Sequence, residues 1–232
     1  MQKIIDRKVH VLKLIVEEYL KTGEIMGSKN LLKKFDLQVS SATVRNDMMS
    51  LEKMWLIFQP YNSAGRLPTN RWLRVFVDYL METMPNVFLE AEQALEKKLE
   101  QNRIDDTLYA LVSRLTKITG EITFACIPSL GTSYYLGLSN YLEKHHGILW
   151  EEMFQVIKFL ENKYQFIDLL DSLDITTKVS AFIWEENIFP ELDSSTMIVK
   201  KIQVNWYEWY LGILGSTKMD YAFNITALRQ VL

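Results

Sequence analysis

The sequence predicts an α+β chain, and three observations predict it. Apolar residues in the first eighty positions recur at three- and four-residue spacings, interrupted by one short strand–turn–strand. A Pro85-Asn86 break closes that region, and a second helical stretch follows it. After Gly120, strand-length apolar runs alternate with helical ones, the pattern of sheet and helices sharing one domain.

Residues 4–20 read as a helix with Ile5, Val9, Leu12, Val16 and Tyr19 on one face, stopped at Gly23. Ser28 is placed to cap a short second helix that turns Leu31, Leu32 and Phe35 inward. Residues 36–39 connect it to a third helix. Ser40 and Ser41 offer the N-cap of that helix, ahead of an apolar stripe of Val44, Met48, Leu51 and Trp55. Its opposite face carries Thr43, Arg45, Asn46 and Met49. Leu56 to Gln59 is strand-like, and Pro60, Asn62, Ser63 and Gly65 form a turn with Arg66 at its tip. Helix, short helix, tight turn, helix and hairpin is the order of a winged helix-turn-helix.

That architecture assigns roles. Short hydrogen-bonding side chains and one guanidinium suit the base edges of a major groove, so Ser40, Ser41, Thr43, Arg45 and Asn46 are the recognition-helix candidates. Arg66 on its glycine-supported turn is placed to reach phosphates or a minor groove. Lys29 and Arg71 are phosphate candidates, and Tyr61, Asn62 and Ser63 are candidates for backbone or sugar contact. Asp47 is read as structural, because a carboxylate near phosphates must be held by a neighbouring Arg or Lys.

Thr69 can cap a fourth helix, Asn70 to about Met84, with Trp72, Val75, Phe76 and Tyr79 as its apolar face and Arg71 and Arg74 on a common side. This bounds a DNA-binding domain at 1–84. Residues 88–117 carry the apolar series Leu89, Leu95, Leu99, Ile104, Leu108, Leu111 and Leu115, broken by Glu92, Glu96, Lys97, Lys98 and Glu100. They form a helical connector, 85–119, whose spacing does not keep strict heptads and so favours packing over a dimer seam. The remainder, 120–232, is an α+β domain. Its strands are 121–127, 133–138, 176–184, 195–204 and 206–214, the last two a hairpin across Asn205. Residues 150–173 are helical with Met153, Phe154, Ile157, Leu160 and Leu169 inward, and a helix from Met219 to Leu232 ends the chain.

Net charge is −3, but it is unevenly spread. The first 80 residues hold 13 Lys/Arg against 8 Asp/Glu, and the rest hold 13 against 21. The basic part is the part with the recognition helix. Apolar runs fall short of the roughly 20 residues a membrane span needs. Met1-Gln2-Lys3 opens straight into a charged helix, and Cys126 is the single cysteine. These features point to the cytoplasm. His10, His145 and His146 make no metal-ligand spacing. Alternation puts Trp206 and Tyr210 on one face of a strand and Tyr207 and Trp209 on the other, so one face is expected to be exposed or at an interface. Glu185-Glu186 could suggest paired catalytic carboxylates, but neighbours on a strand point apart. No phosphate loop, Ser/His/Asp set or Cys/His couple is present, so no enzyme, cofactor or metal is expected.

Several runs closely resemble the N-terminal domain of HrcA, the bacterial heat-inducible repressor of chaperone genes. They are Gly27-Ser28-Lys29, Val39 to Met48, Leu51-Glu52, Gln59-Pro60 and Ser63 to Thr69. The resemblance continues through Arg74 and Val77-Asp78. It returns in Gly137 to Leu142, Glu185-Glu186-Asn187, Gly212 to Gly215 and Met219-Asp220-Tyr221. The family's long central stretch, which completes a GAF-like domain and holds an inserted dimerising domain, is largely missing. Ile122 to Pro128 leads through Ser129-Leu130-Gly131-Thr132 almost directly to Tyr134. The resemblance implies a reduced GAF-like C-terminal domain and a repressor on double-stranded DNA at an inverted repeat of the CIRCE type. It also implies a homodimer matching that symmetry, and the chaperonin GroEL as a folding partner. The alternative is an effector-responsive regulator with a small molecule in the C-terminal domain, which a roomy cavity would favour.

Overall fold

The computed structural model describes residues 2–83, 104–144, 150–187, 192–204 and 207–231. The expectations for 84–103, for His145 and His146, and for Asn205 and Trp206 lie outside the described residues. The chain divides into two compact units, Met1–Tyr79 and Leu80–Leu232. Helices dominate the first, and an antiparallel sheet with flanking helices makes up the second.

The first unit opens with α1 (Gln2–Thr22), α2 (Ser28–Lys34) and α3 (Ser41–Lys53). Val11, Leu12, Ile15 and Val16 of α1 meet Leu31 of α2 and Val44, Met48 and Leu51 of α3 in one core. Val9, assigned by periodicity to that face, is exposed, because the buried stripe runs through Val11 and Ile15 instead. Gly23 ends α1 at φ 72°, its N–H on the Tyr19 carbonyl. α2 is capped by Gly27 and not by Ser28, which is its first helical residue and is buried. Ser40 caps α3 as its sequence predicts, its Oγ accepting from Thr43 N–H at 3.1 Å.

The C-terminus of α3 departs from the expectation. Trp55 is not the last residue of the buried stripe; it is 72% exposed. The helix closes in a Schellman motif, with Trp55 N–H on the Glu52 carbonyl and Leu56 N–H on the Leu51 carbonyl. That motif puts Trp55 at φ 58°, and the reversal swings its side chain out of helical register. The strands β1 (Ile57–Phe58) and β2 (Leu67–Pro68) then pair antiparallel, and Arg66 bridges to Met26. Gly65 allows that bridge: a Cβ there would stand 2.3 Å from the Met26 carbonyl carbon. α4 (Asn70–Thr83) is capped by Thr69, whose Oγ1 accepts from Trp72 N–H. Its buried residues are Trp72, Leu73, Val77 and Leu80, whereas Val75 and Tyr79 are exposed.

Among the described residues the second unit holds five strands in the order β4-β3-β7-β6-β5, all antiparallel. They are β3 (Ile122–Ile127), β4 (Thr132–Leu136), β5 (Ser180–Ile183), β6 (Ser195–Val204) and β7 (Tyr207–Ser216). Among the described residues, the helices of this unit include α5 (Ile104–Thr119), the short α6 (Leu138–Lys144), α7 (Trp150–Glu161), α8 (Lys163–Ser172) and α9 (Tyr221–Gln230). α5, the described part of the stretch whose spacing favours packing over a dimer seam, packs on β3 with Leu108, Leu111, Val112 and Leu115 buried. α9 joins it there. α7 and α8 cover the opposite face, Met153, Val156, Phe159 and Phe166 packing on Phe124, Met197, Val199 and Tyr210.

With helices on both faces, neither side of β7 is left open. Trp209 and Tyr210 point to opposite faces and both are buried, so the expected exposed aromatic face is absent along the described part of the strand. Phe154, expected inward, faces outward instead. The strand predicted at 176–184 is confined to Ser180–Ile183, and Trp184–Asn187 turns in a 3₁₀ helix. Glu186 there accepts from Ile183 N–H at 2.9 Å, a turn-closing role that the strand reading of Glu185-Glu186 did not foresee.

Candidate nucleic-acid interface

α3 is covered on one side only. Its outward side presents Arg45 and Asn46, both exposed, and Met49, 46% exposed. Of its two acids, Asp47 is buried, and Glu52 near its C-terminus pairs with Arg66. Arg7 of α1 binds Asp47 through two bonds, Nε to Oδ2 at 2.6 Å and Nη2 to Oδ1 at 3.0 Å. That bidentate pair raises the Arg7 guanidinium further above its ordinary value, chiefly through the hydrogen bond to Asp47. Lys8 donates to Ser50 Oγ at 2.8 Å, so one end of α1 grips the back of α3 twice. The outward side is thereby held in place, with the Asp47 charge turned away from it.

The serines at the start of α3 serve the helix itself. Ser41 Oγ lies 3.1 Å from Ser28 Oγ and ties α3 to α2. Ser40 and Thr43 share a hydroxyl contact at 2.9 Å beside the cap bond. These three hydroxyls are therefore engaged, whereas Arg45 and Asn46 form no ion pair or side-chain hydrogen bond among the described residues.

A cleft of about 580 Å³ opens beside α3, lined by Ser28, Lys29, Arg45, Met49, Ser63 and Arg66 among others. It brings together three elements that the sequence separates: the start of α2, the outer side of α3 and the hairpin. Lys29 is exposed at its rim. Asn30 and Gln59 also line it, and neither position was marked by sequence pattern. Gln59 Nε2 donates to the Ala64 carbonyl at 3.0 Å and braces the hairpin end.

Tyr61, Asn62 and Ser63 occupy the hairpin tip and are exposed, Ser63 at φ 71°. Arg66 does not stand at the tip. The Met26 bridge draws it back against α3, where Nη2 pairs with Glu52 at 2.9 Å and the side chain is only 13% exposed. It forms a wall of the cleft rather than a projecting finger. Arg71 is exposed at the start of α4, and Arg74 pairs with Asp78 at 2.5 Å.

The second unit offers a contrast. Phe124 and Phe166 meet edge to face with centroids 4.9 Å apart, and Phe159 and Phe166 do so at 5.8 Å. A Cβ on Gly212 would stand 2.3 Å from the Phe124 ring. Aromatic rings fill the space between sheet and helices. Cys126 is buried in the same core, and burial pushes its thiol up to about 12, so it stays a protonated, inert packing group. No group of His, Cys, Asp and Glu among the described residues is arranged to hold a metal ion. No described helix is long and apolar enough to cross a membrane.

A heat-inducible transcription repressor HrcA of Alkaliphilus metalliredigens is 37% identical over 126 residues, 54% of this chain and 37% of that protein. One from Clostridium perfringens (strain SM101) is 41% identical over 124 residues, 49% of this chain and 35% of that protein. One from Thermosynechococcus vestitus is 36% identical over 126 residues, 53% of this chain and 36% of that protein. The matched stretch thus spans little more than a third of these relatives' own length. A crystal structure described as that of a hypothetical protein shares the fold with a TM-score of 0.69 at 17% identity, over 97% of this chain and 96% of that one. The family model for the HrcA protein C terminal domain matches residues 37–225, and with that match over most of its length the chain belongs to the HrcA family.

Proposed function

We propose that this chain is a sequence-specific transcriptional repressor of heat-shock genes, binding an inverted-repeat operator of the CIRCE type in the cytoplasm. On this reading the first unit is a winged helix-turn-helix. Arg45 and Asn46 read base edges from the major groove, with Thr43 beside them. Lys29, Arg71 and the Tyr61–Asn62–Ser63 tip hold phosphates and sugar, and Arg66 lines the groove wall between α3 and the hairpin. Ser40 and Ser41 contribute by fixing the start of α3. The second unit is a reduced GAF-like domain. The observation that carries the reading is the one-sided cover of α3: Asp47 is turned inward and neutralised by Arg7, Glu52 is paired with Arg66, and Arg45 and Asn46 face solvent without partners among the described residues.

Occupancy of promoter DNA excludes polymerase, and a marginally stable repressor loses occupancy on warming. Two copies related by a two-fold axis would place two α3 helices in successive grooves. Relatives carrying the HrcA name support the repressor role, and a chaperonin of the GroEL kind is the partner that the family resemblance suggests. Aromatic rings packed between sheet and helices in the second unit weigh against the effector-binding alternative, which calls for a roomy cavity.

A salt series on an inverted-repeat duplex and on random competitor tests the reading. Arg45→Ala should cost ~1–3 kcal/mol on the operator and far less on random duplex. Lys29→Ala should weaken both alike and reduce the salt slope by about one. A wild-type chain with no preference for the operator over random competitor refutes the reading.

A further inference from the structure

Trp55 stands where the fold uses a backbone and not a side chain. Its N–H closes the Schellman turn on the Glu52 carbonyl, and its own carbonyl accepts from Thr69 Oγ1 at 2.7 Å. Any residue supplies those two groups, and at φ 58° glycine supplies them without strain. A bulky ring is disfavoured by that backbone, and because it is 72% exposed it returns little packing. Strain retained without benefit to the core points to a use outside the fold.

The surroundings indicate which use. A second cleft, of about 450 Å³, lies between the end of α3 and β1, lined by Lys53, Trp55 and Phe58 among others. Met49 and Gln59 line both this cleft and the larger one, so the two are continuous. Phe58 is 42% exposed. Lys53 is exposed and forms no ion pair among the described residues, while Glu52 beside it is bound to Arg66.

We infer that Trp55, Phe58 and Lys53 extend the DNA contact beyond the bases, onto the sugar–phosphate edge of one strand of the duplex. The inference rests on the reading that the first unit binds duplex DNA. Trp55 and Phe58 pack on deoxyribose, an apolar surface that every nucleotide carries, and Lys53 meets a neighbouring phosphate. A nucleic-acid backbone alternates an anion with an apolar sugar, which matches a cation set beside aromatic rings. A protein seated on this cleft would compete with a duplex at Met49, since Met49 belongs to both clefts.

Equilibrium binding of the full chain to an inverted-repeat duplex and to a random duplex, each over a salt series, tests it. Trp55→Ala keeps the positive φ and removes the ring. Affinity for both duplexes should fall about tenfold with the salt slope unchanged, because the ring carries no charge. Lys53→Ala should weaken both and reduce the slope by about one. Trp55→Gly should bind as weakly as Trp55→Ala yet raise the thermal midpoint by ~4 °C, since the strain leaves with the side chain. A ring kept for packing would lose stability and affinity together. Trp55→Ala with unchanged affinity for both duplexes overturns the contact and leaves the cleft to a protein partner. So does a lowered midpoint in Trp55→Gly, which would make the indole a packing group. A wild type without preference for the inverted repeat strikes the repressor reading, yet a tenfold loss on both duplexes would still support this contact. A wild type that binds no duplex ends both.

Discussion

α3 and β7 each lie at the centre of their unit, yet α3 is covered on one side and β7 on both. The difference teaches where chemistry is available in this chain. α3 spends its buried side on Val44, Met48 and Leu51 and on a neutralised Asp47, and keeps an ordered polar side free. β7 is buried from Trp209 to Gly215, and its glycines admit neighbouring groups instead of presenting side chains. Gly212 receives the Phe124 ring, and Gly215 lies against the Glu121 carboxylate. One unit presents a surface and the other a filled frame.

The largest expected effect breaks the frame. Glu121 is wholly buried, and Lys144 reaches it at 2.5 Å while also donating to the Thr119 carbonyl at 3.1 Å. Lys144→Ala leaves that carboxylate without its cation and should cost about 3 kcal/mol in urea unfolding of the second unit. If the comparison is right, operator affinity per folded molecule stays unchanged.

A smaller effect sharpens the surface side. Met49 lies on the outer side of α3 one turn beyond Arg45, and an apolar side chain there suits the methyl group of thymine. Replacing operator thymines by deoxyuridine should weaken wild-type binding by ~0.8 kcal/mol at one position, roughly fourfold. Met49→Ala should erase that sensitivity without moving the unfolding midpoint. Equal sensitivity in both proteins would place Met49 outside the groove.

The smallest effect concerns pH in the first unit. Glu18 is buried, and its hydrogen bond to Lys34, 2.5 Å away, holds its carboxyl below the ordinary 4.5. The unfolded chain therefore takes up the proton first as pH falls. The contribution is complete above about pH 4.5 and is lost as pH drops through the folded value. Lys34→Met should flatten that acid limb in denaturation curves, leaving the neutral baseline slope unchanged.

Much of the fold was legible because its signals are local. The Ser40 cap, the Gly23 stop, the Thr69 cap and the β6–β7 pairing each depend on residues a few positions apart. The misses depend on distant partners or on backbone reversals. Trp55 continues the helical spacing in sequence, but a Schellman turn takes it out of register. Arg66 follows turn residues and reads as a tip, yet Met26, forty positions earlier, draws it inward. Arg7 clamps Asp47 across the same separation, and only the need of a buried acid for a cation hinted at it. The cover on both faces of β7 was hidden because strand alternation says nothing about how many layers a sheet receives. Among the candidate contact residues, the exposed placement of Arg45, Asn46 and Lys29 on one cleft follows from residue type and position, while their part in binding DNA stays a proposal. The engagement of Ser41 with Ser28 was not, since it arises only when two helices meet.

The turn between β3 and β4 has a consequence for chain length. β4 is an edge strand, and Pro128–Leu130 with Gly131 at φ 55° loops beyond the ladder. Extra residues spliced in at that corner would interrupt no pairing among β3, β7 and β6, and each doubling of the loop costs only ~0.6 kcal/mol in closure entropy. The sheet can therefore keep one register whatever length of chain that outer corner carries.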